Sequence, residues 1–251
     1  MNIQTIWKGL LMMLKAVFFD LDGTLLPLNE DKFLKLYFSL LANKLAPYGF
    51  LKEELIKTIW EGTNAMYKNN GSMTNEEVFW QTFLNHYHLP KETISKLFDE
   101  FYTTVFPQTI KATQKNTLAK EIITFCQKEV PYVLLTTNPL FPQIATETRM
   151  GFIDLTLNDF NFVTTYENSS FCKPNPAYFQ ALLTKFNLKP EEVILFGNND
   201  LEDYLCAMKA GIKCYLLDDN LIVHEELKLK PTIIKMQDVI PIIKQEIALR
   251  K

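Results

Sequence analysis

The chain has 251 residues, of which 47% are apolar and 22% are charged, and its formal net charge is −3. A chain of this length can bury a substantial core, either as one large domain or as one domain with a smaller one. The weak acidic excess gives no reason to expect nucleic acid or an anionic membrane as a partner. Its four cysteines show no CxxC spacing, which indicates free thiols in a reducing cytoplasm. Nothing in the composition indicates an oligomeric state.

The N-terminal segment, residues 1–12, precedes the first predicted strand. Its apolar part, residues 6–14, is too short to cross a bilayer, and no small-residue cleavage site follows it. We therefore predict that residues 1–12 are a leader with little fixed packing.

The first predicted strand covers residues 16–20. Four apolar residues run into Asp20, and Asp22 follows before the chain turns at Gly23. Two neighbouring buried carboxylates repel each other unless a cation or a transferable proton relieves them. A functionless surface turn is the alternative for an isolated Asp-x-Asp, but the preceding apolar run favours a site at the edge of a sheet.

A helical segment follows the first strand. Apolar residues recur at three- and four-residue intervals between residues 27 and 106, which predicts four consecutive helices. Thr74 and Glu77 have the spacing of a capping box before the third helix. We predict that residues 27–106 form an all-helical cap domain whose aromatic side chains are its core. For the polar loop 68–72 we favour a plain solvent-exposed turn, and a contact with a substrate is the alternative.

Strands and helices alternate in the rest of the chain. Apolar runs at 132–135, 160–164, 193–196 and 212–217 are separated by helical patterns, and Gly151 is placed as a C′ glycine after the helix near 143–150. This alternation predicts an α/β fold with a doubly wound parallel sheet. Its core domain comprises residues 13–26 and 107–251, with the cap inserted between them.

Polar residues follow four of the predicted strands, at Asp20 and Asp22, Thr137 and Asn138, Lys173, and residues 197–203. The carboxyl ends of parallel strands lie along one edge of the sheet, so these groups can meet in one crevice. Carboxylate and amide oxygens suit Mg²⁺, and a lysine suits phosphate. The combination fits phosphoryl transfer, in which positioning and charge neutralisation provide most of the catalysis.

These residues resemble the motifs of the haloacid dehalogenase (HAD) superfamily of phosphohydrolases, over about residues 14–217. Residues 20–24 match its DxDGT motif, Thr137-Asn138 its Thr/Ser motif, Lys173-Pro174 its lysine motif, and 197–203 its acidic fourth motif. The first match is highly specific, and the other three follow in the family's order. The resemblance implies a Rossmann-like core with an inserted cap of the C1 type.

The resemblance also implies roles for individual residues. Asp20 would attack phosphorus and form an aspartyl-phosphate, while Asp22 would act as the general acid and base. Thr137 would bind the phosphoryl group. Thr136, one residue earlier, could take this role instead, but we favour Thr137 because a threonine followed by an asparagine is the family's usual pair. The substrate-binding residues that the resemblance implies are Gly23, Thr24, Thr137, Asn138 and Lys173.

Mg²⁺ is the implied cofactor, but the fourth motif departs from the family's usual pattern. Most members have an aspartate after the glycine, where this chain has Asn198, and its acids come later at Asp200 and Asp203. Asn198 could be the ligand with Asp203 in support, one of the two acids could lie closer to the metal, or metal binding could be weak. We favour the first arrangement and predict a metal site of Asp20, Asp22, Asn198 and Asp203.

The resulting prediction is a Mg²⁺-dependent phosphatase acting on a small phosphorylated metabolite. A phosphate- or metabolite-binding module with little turnover is the first alternative, motivated by Asn198. A 2-haloacid dehalogenase is a second, although such enzymes of this superfamily lack an acid equivalent to Asp22 and need no metal. A mutase is a third. The aromatic cap favours an apolar or ring-bearing substrate, although packing of the cap's own core explains the same residues.

Overall fold

The computed structural model describes residues 13–87 and 89–250, so the interpretation of residues 1–12 as a leader concerns a segment outside them. One six-stranded parallel sheet has the order β3-β2-β1-β4-β5-β6. Its strands are β1 Ala16–Phe19, β2 Tyr132–Leu135, β3 Phe162–Val163, β4 Val193–Gly197, β5 Lys213–Leu217 and β6 Thr232–Ile234. The order reverses between β1 and β4, which confirms the predicted doubly wound sheet.

Helices surround this sheet and also form a separate bundle. The helices are α1 Glu30–Leu45, α2 Lys52–Tyr67, α3 Asn75–Leu84, α4 Lys91–Thr104, α5 Leu118–Glu129, α6 Gln143–Gly151, α7 Ala177–Lys185, α8 Cys206–Lys209 and α9 Val239–Leu249. The bundle α1–α4, called the cap below, lies between β1 and β2 in the chain. Within residues 13–87 and 89–250, no helix combines the length and hydrophobicity needed to cross a bilayer.

The central strand β1 is buried on both sides. Val17 and Phe19 belong to the apolar cluster on one face of the sheet, together with α5 and α9. Ala16 and Phe18 belong to the cluster on the other face, together with α7 and α8. Side chains alternate between the two faces of a strand, so a strand covered on both faces needs apolar residues at every position. This two-sided burial explains the continuous apolar run that ends at Asp20.

The cap folds as its periodicity predicts. Its aromatic core includes Phe83 and Phe98, whose rings meet edge to face at 86° with centroids 5.4 Å apart. The predicted capping box begins α3: the Thr74 hydroxyl accepts a hydrogen bond from the Glu77 N–H at 3.2 Å, and Glu77 Oε2 accepts from the Thr74 N–H at 2.8 Å. This reciprocal pair satisfies two backbone donors at the start of the helix.

The prediction for Gly151 is wrong. Gly151 is the last residue of α6, and the left-handed residue is Asp154, with φ 59°. The chain continues its helical turn past the glycine, and the Leu155 N–H bonds to the Met150 carbonyl at 3.0 Å. Aspartate tolerates the left-handed conformation better than most residues, so Asp154 can end the turn.

Strand β6 and helix α9 lie beyond residue 217, where the last predicted strand ends, and neither is predicted from the sequence. Strand β6 is only three residues long and lies at the edge of the sheet, where Thr232 and Ile233 are exposed. Helix α9 buries Val239 and Ile243 against the sheet. The predicted strand at 160–164 also contracts to Phe162–Val163.

Candidate active site

The cap and the carboxyl ends of the strands enclose a cavity of about 710 Å³. The cap contributes mostly aromatic side chains together with three carboxylates, and the core contributes most of the other polar groups. Lining the core side are the predicted residues Asp20, Asp22, Gly23, Thr137, Asn138, Lys173, Asn198 and Asp203. The structure therefore brings these residues together at one edge of the sheet. Thr24 lies just behind them, with its hydroxyl between Asp20 and Asn198.

The turn after β1 folds back onto the end of β4. Gly23 has φ +79°, a conformation that favours glycine, and its N–H donates to the Leu26 carbonyl at 2.8 Å. A Cβ on Gly23 would lie 2.2 Å from Asn198 Nδ2, so any side chain would separate the two loops. The glycine of the DxDGT motif is therefore needed twice, for the backbone angle and for the close approach to Asn198.

Asp20 is the central carboxylate of the site and is buried. Its Oδ1 accepts a hydrogen bond from Lys173 Nζ at 2.8 Å, and its Oδ2 accepts from the Thr24 hydroxyl at 3.2 Å. Burial raises the pKa of Asp20 to about 7; Lys173 opposes this shift and the nearby Asp203 carboxylate adds to it. One ammonium group shared between two buried carboxylates leaves Asp20 under-neutralised, so a further cation would be favourable here.

Lys173 and Asp203 form a second buried pair beside Asp20. Lys173 Nζ lies 2.6 Å from Asp203 Oδ1, while Asp203 Oδ2 accepts from the N–H groups of Asn198 and Asn199 at 3.0 and 3.1 Å. Burial alone would lower the pKa of Lys173, but the two carboxylates outweigh it and raise that pKa well above its usual range. Both Asp203 oxygens are thus engaged, and the residue fixes the lysine and the loop after β4.

Gly197, the last residue of β4, makes the position of Asp203 possible. A Cβ on Gly197 would lie 2.4 Å from the Asp203 carboxyl carbon. The glycine is therefore required for close approach rather than for an unusual backbone angle. This contact explains in physical terms why the fourth motif begins with glycine.

The two asparagines after Gly197 have different surroundings. Asn198 donates through Nδ2 to the Asn220 carbonyl at 2.8 Å, and its Oδ1 accepts from the Thr24 hydroxyl at 3.1 Å. Only an amide can donate to Asn220 and still present an oxygen toward Asp20. The Asn199 side chain instead accepts from the Leu201 N–H at 2.9 Å and caps the π-helical turn Asp200–Leu205.

Asp200 points away from the cavity. Its Oδ2 accepts from the His224 N–H at 2.8 Å, and its Oδ1 lies 2.5 Å from His224 Nδ1. The side chain is buried in this pair and does not line the cavity. The arrangement leaves Asn198 as the side chain of the fourth motif that faces Asp20 with an oxygen.

The oxygens around Asp20 suit a hard divalent cation. Asp20 Oδ2 and Asn198 Oδ1 lie 3.2 and 3.1 Å from the same Thr24 hydroxyl, whose single hydrogen can satisfy only one of them at a time. No group of three or more His, Cys, Asp or Glu side chains within the described ranges is placed to hold a metal. A Mg²⁺ ion here would therefore combine one carboxylate with amide and backbone oxygens, a set within its known preferences.

The two threonines after β2 face opposite ways. The Thr136 hydroxyl donates to the Phe19 carbonyl at 3.2 Å inside the sheet. Thr137 lines the cavity, and its carbonyl accepts from the Thr164 and Tyr178 hydroxyls at 2.7 and 3.0 Å. Two core side chains thus hold the Thr137 backbone in place, and no group in the described part of the chain bonds to its hydroxyl.

Arg149 is a residue of the site that the sequence analysis missed. It lies on α6, its side chain is 1% exposed, and it forms an ion pair with Asp22 Oδ2. Its guanidinium carbon lies 4.6 Å from the centre of the Phe141 ring, and its Nε donates to the Ala145 carbonyl at 3.2 Å. The other Asp22 oxygen, Oδ1, is buried without a hydrogen-bond partner in the described part of the chain. Arg149 thus fixes one oxygen of Asp22 and leaves the other available.

Glu202 connects the core to the cap and was also missed as a separate functional residue. Its carboxylate accepts from Asn138 Nδ2 at 2.9 Å and from the Tyr67 hydroxyl of α2 at 3.2 Å. Burial raises the pKa of Glu202. The amide of Asn138 is thereby engaged in a contact between core and cap.

The polar loop 68–72 lies outside the cavity. Asn69 is buried and donates to Asn75 Oδ1 at 2.9 Å, and a Cβ on Gly71 would lie 2.4 Å from the Phe171 ring of the core. The loop is therefore neither a plain solvent-exposed turn nor a wall of this cavity, because it packs the cap against the core.

Comparison with known families agrees with the motifs. The family model described as haloacid dehalogenase-like hydrolase matches residues 14–211. The match covers β1, the whole cap and the loop after β4, so it includes each of the predicted site residues that line the core side of the cavity.

Individual relatives share less than a third of their residues with this chain. The chain is 28% identical over 235 residues to glyceraldehyde 3-phosphate phosphatase of Methanothermobacter thermautotrophicus. That alignment covers 85% of this chain and 89% of the phosphatase. It is 26% identical over 237 residues to pyrophosphatase PpaX of Bacillus cereus, and that alignment covers 92% of this chain and 97% of the pyrophosphatase. Among solved structures, 2-haloacid dehalogenase from Pseudomonas syringae pv. Tomato superposes with a TM-score of 0.62 at 16% identity. The superposition covers 93% of this chain and 99% of the dehalogenase chain. That structural likeness shows a shared fold.

Proposed function

The chain belongs to the haloacid dehalogenase-like hydrolases, and on that premise we propose that it is a Mg²⁺-dependent phosphatase that acts through an aspartyl-phosphate on Asp20. The observation that carries the proposal is the buried Asp20 carboxylate at the cavity floor, with Lys173 on one oxygen and Thr24 on the other. The phosphatases among its relatives, at 26–28% identity, support the same chemistry.

In the first step a carboxylate oxygen of Asp20 attacks phosphorus, and the bond between phosphorus and the leaving oxygen breaks. The Asp22 carboxyl gives its proton to that oxygen, so the product leaves as an alcohol. In the second step water attacks phosphorus, Asp22 takes a proton from the water, and the bond from phosphorus to Asp20 breaks. Phosphate is released with both aspartates restored.

The other residues position the phosphoryl group. Lys173 and the Thr137 hydroxyl would hold its oxygens, and Asp203 keeps the lysine in place through the 2.6 Å contact. Mg²⁺, held by Asp20, the Asp22 carbonyl and Asn198, would neutralise charge between the nucleophile and the phosphoryl oxygens. Asp22 Oδ1 suits the proton transfer, because Arg149 engages the other oxygen and Oδ1 has no hydrogen-bond partner among residues 13–87 and 89–250.

The general test is phosphate release by purified protein with p-nitrophenyl phosphate and a panel of alkyl phosphates. We expect release that requires Mg²⁺ and stops on addition of EDTA. Undiminished release in EDTA would refute the metal-dependent mechanism. Chloride release from a 2-haloacid without Mg²⁺ would favour a dehalogenase, and conversion of a sugar phosphate to its isomer without phosphate release would favour a mutase.

Asp22→Asn is expected to slow hydrolysis of alkyl phosphates by about 10²–10⁴-fold, because their leaving oxygens need a proton. The first step with p-nitrophenyl phosphate should suffer much less, since nitrophenolate leaves without protonation. Stopped-flow measurement should therefore show a burst of nitrophenolate followed by slow turnover. An equal loss in the first step for both substrate classes would contradict the assignment of Asp22 as the acid.

Mg²⁺ binding is expected to tighten as the pH rises. Because burial raises the pKa of Asp20 to about 7 in the absence of a cation, a proton competes with Mg²⁺ for this carboxylate at lower pH. The apparent Kd should fall about tenfold per pH unit up to about pH 7 and then level off. Isothermal titration calorimetry measures it, and a Kd independent of pH over this range would exclude Asp20 as a ligand.

Thr137→Val is expected to lower kcat/KM about tenfold to a hundredfold, because it removes one hydroxyl from the proposed phosphoryl site. Thr136→Val is the matched control: its hydroxyl donates to the Phe19 carbonyl, so its loss should lower stability by about 1 kcal/mol and leave kcat/KM unchanged. Steady-state kinetics and urea titration separate the two. The reverse pattern would exchange the roles of the two threonines.

A further inference from the structure

The cavity above Asp20 is large enough for much more than a phosphoryl group. Its volume of about 710 Å³ lies in the range of sites that enclose whole small molecules. The phosphoryl group would occupy the polar floor, so the leaving group must face the cap. The chemistry of the cap side therefore decides which leaving groups fit.

The cap side is mostly aromatic, and its charged groups are the carboxylates of Glu30, Asp31 and Asp99. Its wall includes Tyr37, Phe38, Trp60, Phe79, Trp80 and Phe98. The Tyr37 hydroxyl is paired with the Tyr102 hydroxyl at 3.1 Å, and the Thr63 hydroxyl donates to the Ile59 carbonyl at 2.9 Å. These two hydroxyls are already satisfied within the cap, so the part of the cap wall away from the carboxylates is mostly ring carbon. Such a wall stabilises apolar rings by burial and stacking.

The charges of the cavity disfavour an anionic leaving group. Arg149 and Lys173 are the basic residues that line it in the described part of the chain, and each is bound to an aspartate. Acidic residues also line it, among them Glu30 and Asp99. A carboxylate or second phosphate on the substrate would lose its hydration without gaining a free cation.

We propose that the leaving group is a ring-bearing alcohol without a negative charge, held against the aromatic wall of the cap. This inference rests on the proposed phosphatase function and adds its substrate class, a phosphate monoester with an apolar ring. It departs from glyceraldehyde 3-phosphate and pyrophosphate, for which two relatives are named. Neither of those compounds carries a ring, and the second carries additional charge.

The first experiment measures binding alone, with phosphonates that cannot be hydrolysed. Mg²⁺-loaded wild-type protein is titrated in a calorimeter with propylphosphonate, 3-phenylpropylphosphonate and 3-(4-carboxyphenyl)propylphosphonate. Burial of the phenyl ring should tighten Kd about 30-fold over propylphosphonate. The added carboxylate should weaken it again by about tenfold or more. Equal affinities of the first two, or tightest binding of the carboxylate, would overturn the proposal.

A charge variant tests whether the cap wall is responsible. Phe38 packs against Trp60 with ring centroids 5.7 Å apart and lines the cavity. Phe38→Lys introduces a free cation into the wall. It should therefore improve the affinity for 3-(4-carboxyphenyl)propylphosphonate about tenfold relative to the affinity for 3-phenylpropylphosphonate. Tyr48→Lys is the matched control, because Tyr48 is a cap residue that is 51% exposed and outside the cavity. A ratio unchanged by Phe38→Lys would overturn the placement of the ring.

Phosphate release separates this inference from the proposed function. Ring-selective binding without hydrolysis of 2-phenylethyl phosphate would support the ligand class and refute the phosphatase. Hydrolysis of 2-phenylethyl phosphate and glycerol 3-phosphate with equal kcat/KM would refute the ligand class and support the phosphatase.

Discussion

Asp20→Asn is expected to reduce phosphate release by about 10⁴-fold or more, because an amide cannot form the aspartyl-phosphate. The loss should occur without unfolding. Burial raises the pKa of Asp20 to about 7, so at pH 8 the folded protein holds an ionised carboxylate at a cost that the amide removes. The melting temperature in the absence of Mg²⁺ should therefore stay the same or rise. Steady-state kinetics and thermal unfolding of the same preparation measure both effects.

The control for Asp20→Asn is Asp200→Asn. Asp200 lies in the neighbouring loop after β4, but its carboxylate is bound to His224 and does not line the cavity. We expect this variant to retain phosphate release and to lose some stability. Loss of Mg²⁺-dependent turnover in Asp200→Asn with retention in Asp20→Asn would overturn the account of the site.

Lys173→Met has the second largest expected effect and should damage both stability and activity. Its side chain is 1% exposed and contacts Asp20 and Asp203 at 2.8 and 2.6 Å. Removing the ammonium leaves two buried carboxylates uncompensated, which should lower the free energy of unfolding by about 3–5 kcal/mol. Loss of a positive charge at the phosphoryl group should lower kcat about 10²–10³-fold. Urea titration and kinetics on the folded fraction measure the two effects.

Lys213→Met provides the comparison for a lysine on the surface. Lys213 Nζ lies 2.6 Å from Glu246 Oε1, a distance like those of Lys173, but its side chain is 51% exposed. Solvent screens the Lys213 ammonium, and the buried Glu246 keeps the Tyr215 hydroxyl and Arg250 as partners. We therefore expect a loss below about 1 kcal/mol and unchanged kcat. If Lys173→Met behaved like Lys213→Met in both measurements, Lys173 would neither stabilise the buried carboxylates of Asp20 and Asp203 nor contribute to turnover.

Fold and motifs were predictable where local sequence determines the structure. Strand β1 is covered on both faces, so burial leaves an uninterrupted apolar run that ends at Asp20. The capping box at Thr74 is local in the same sense, because both of its partners lie within one helical turn. Short edge elements such as β6 have no comparable pattern, since exposed positions impose little on residue choice.

The contacts of the site with distant elements were not predictable. Arg149 lies on a helix whose sequence is typical of a partly exposed surface, and its burial depends on Phe141 and on Phe33 of the cap. Asp203 is predicted to support Asn198 through water or lysine contacts, and one of its oxygens does contact Lys173. Its other oxygen accepts from the N–H groups of Asn198 and Asn199, which the sequence does not predict. The partners of these side chains depend on how elements far apart in the chain pack together, which the local sequence does not specify.

Asn198 gives the alternative of a binding module its physical basis, because an amide adds no charge to the metal site. The 2.8 Å bond from its Nδ2 to the Asn220 carbonyl gives the amide a structural reason of its own. With one carboxylate at the metal, Asp20 supplies most of the neutralising charge. Weak Mg²⁺ binding would therefore reduce turnover at low metal concentration and still permit it at saturation.

Trapping the aspartyl-phosphate tests the central claim most directly. Mg²⁺-loaded protein is mixed with p-nitrophenyl phosphate, quenched in acid within one turnover, reduced with borohydride and mapped by mass spectrometry. An acyl phosphate is reduced to an alcohol, so we predict conversion of Asp20 to homoserine in the peptide that contains it, with no such change in the absence of substrate. Phosphate release at the same rate with Asp20 unmodified at every quench time would contradict the account.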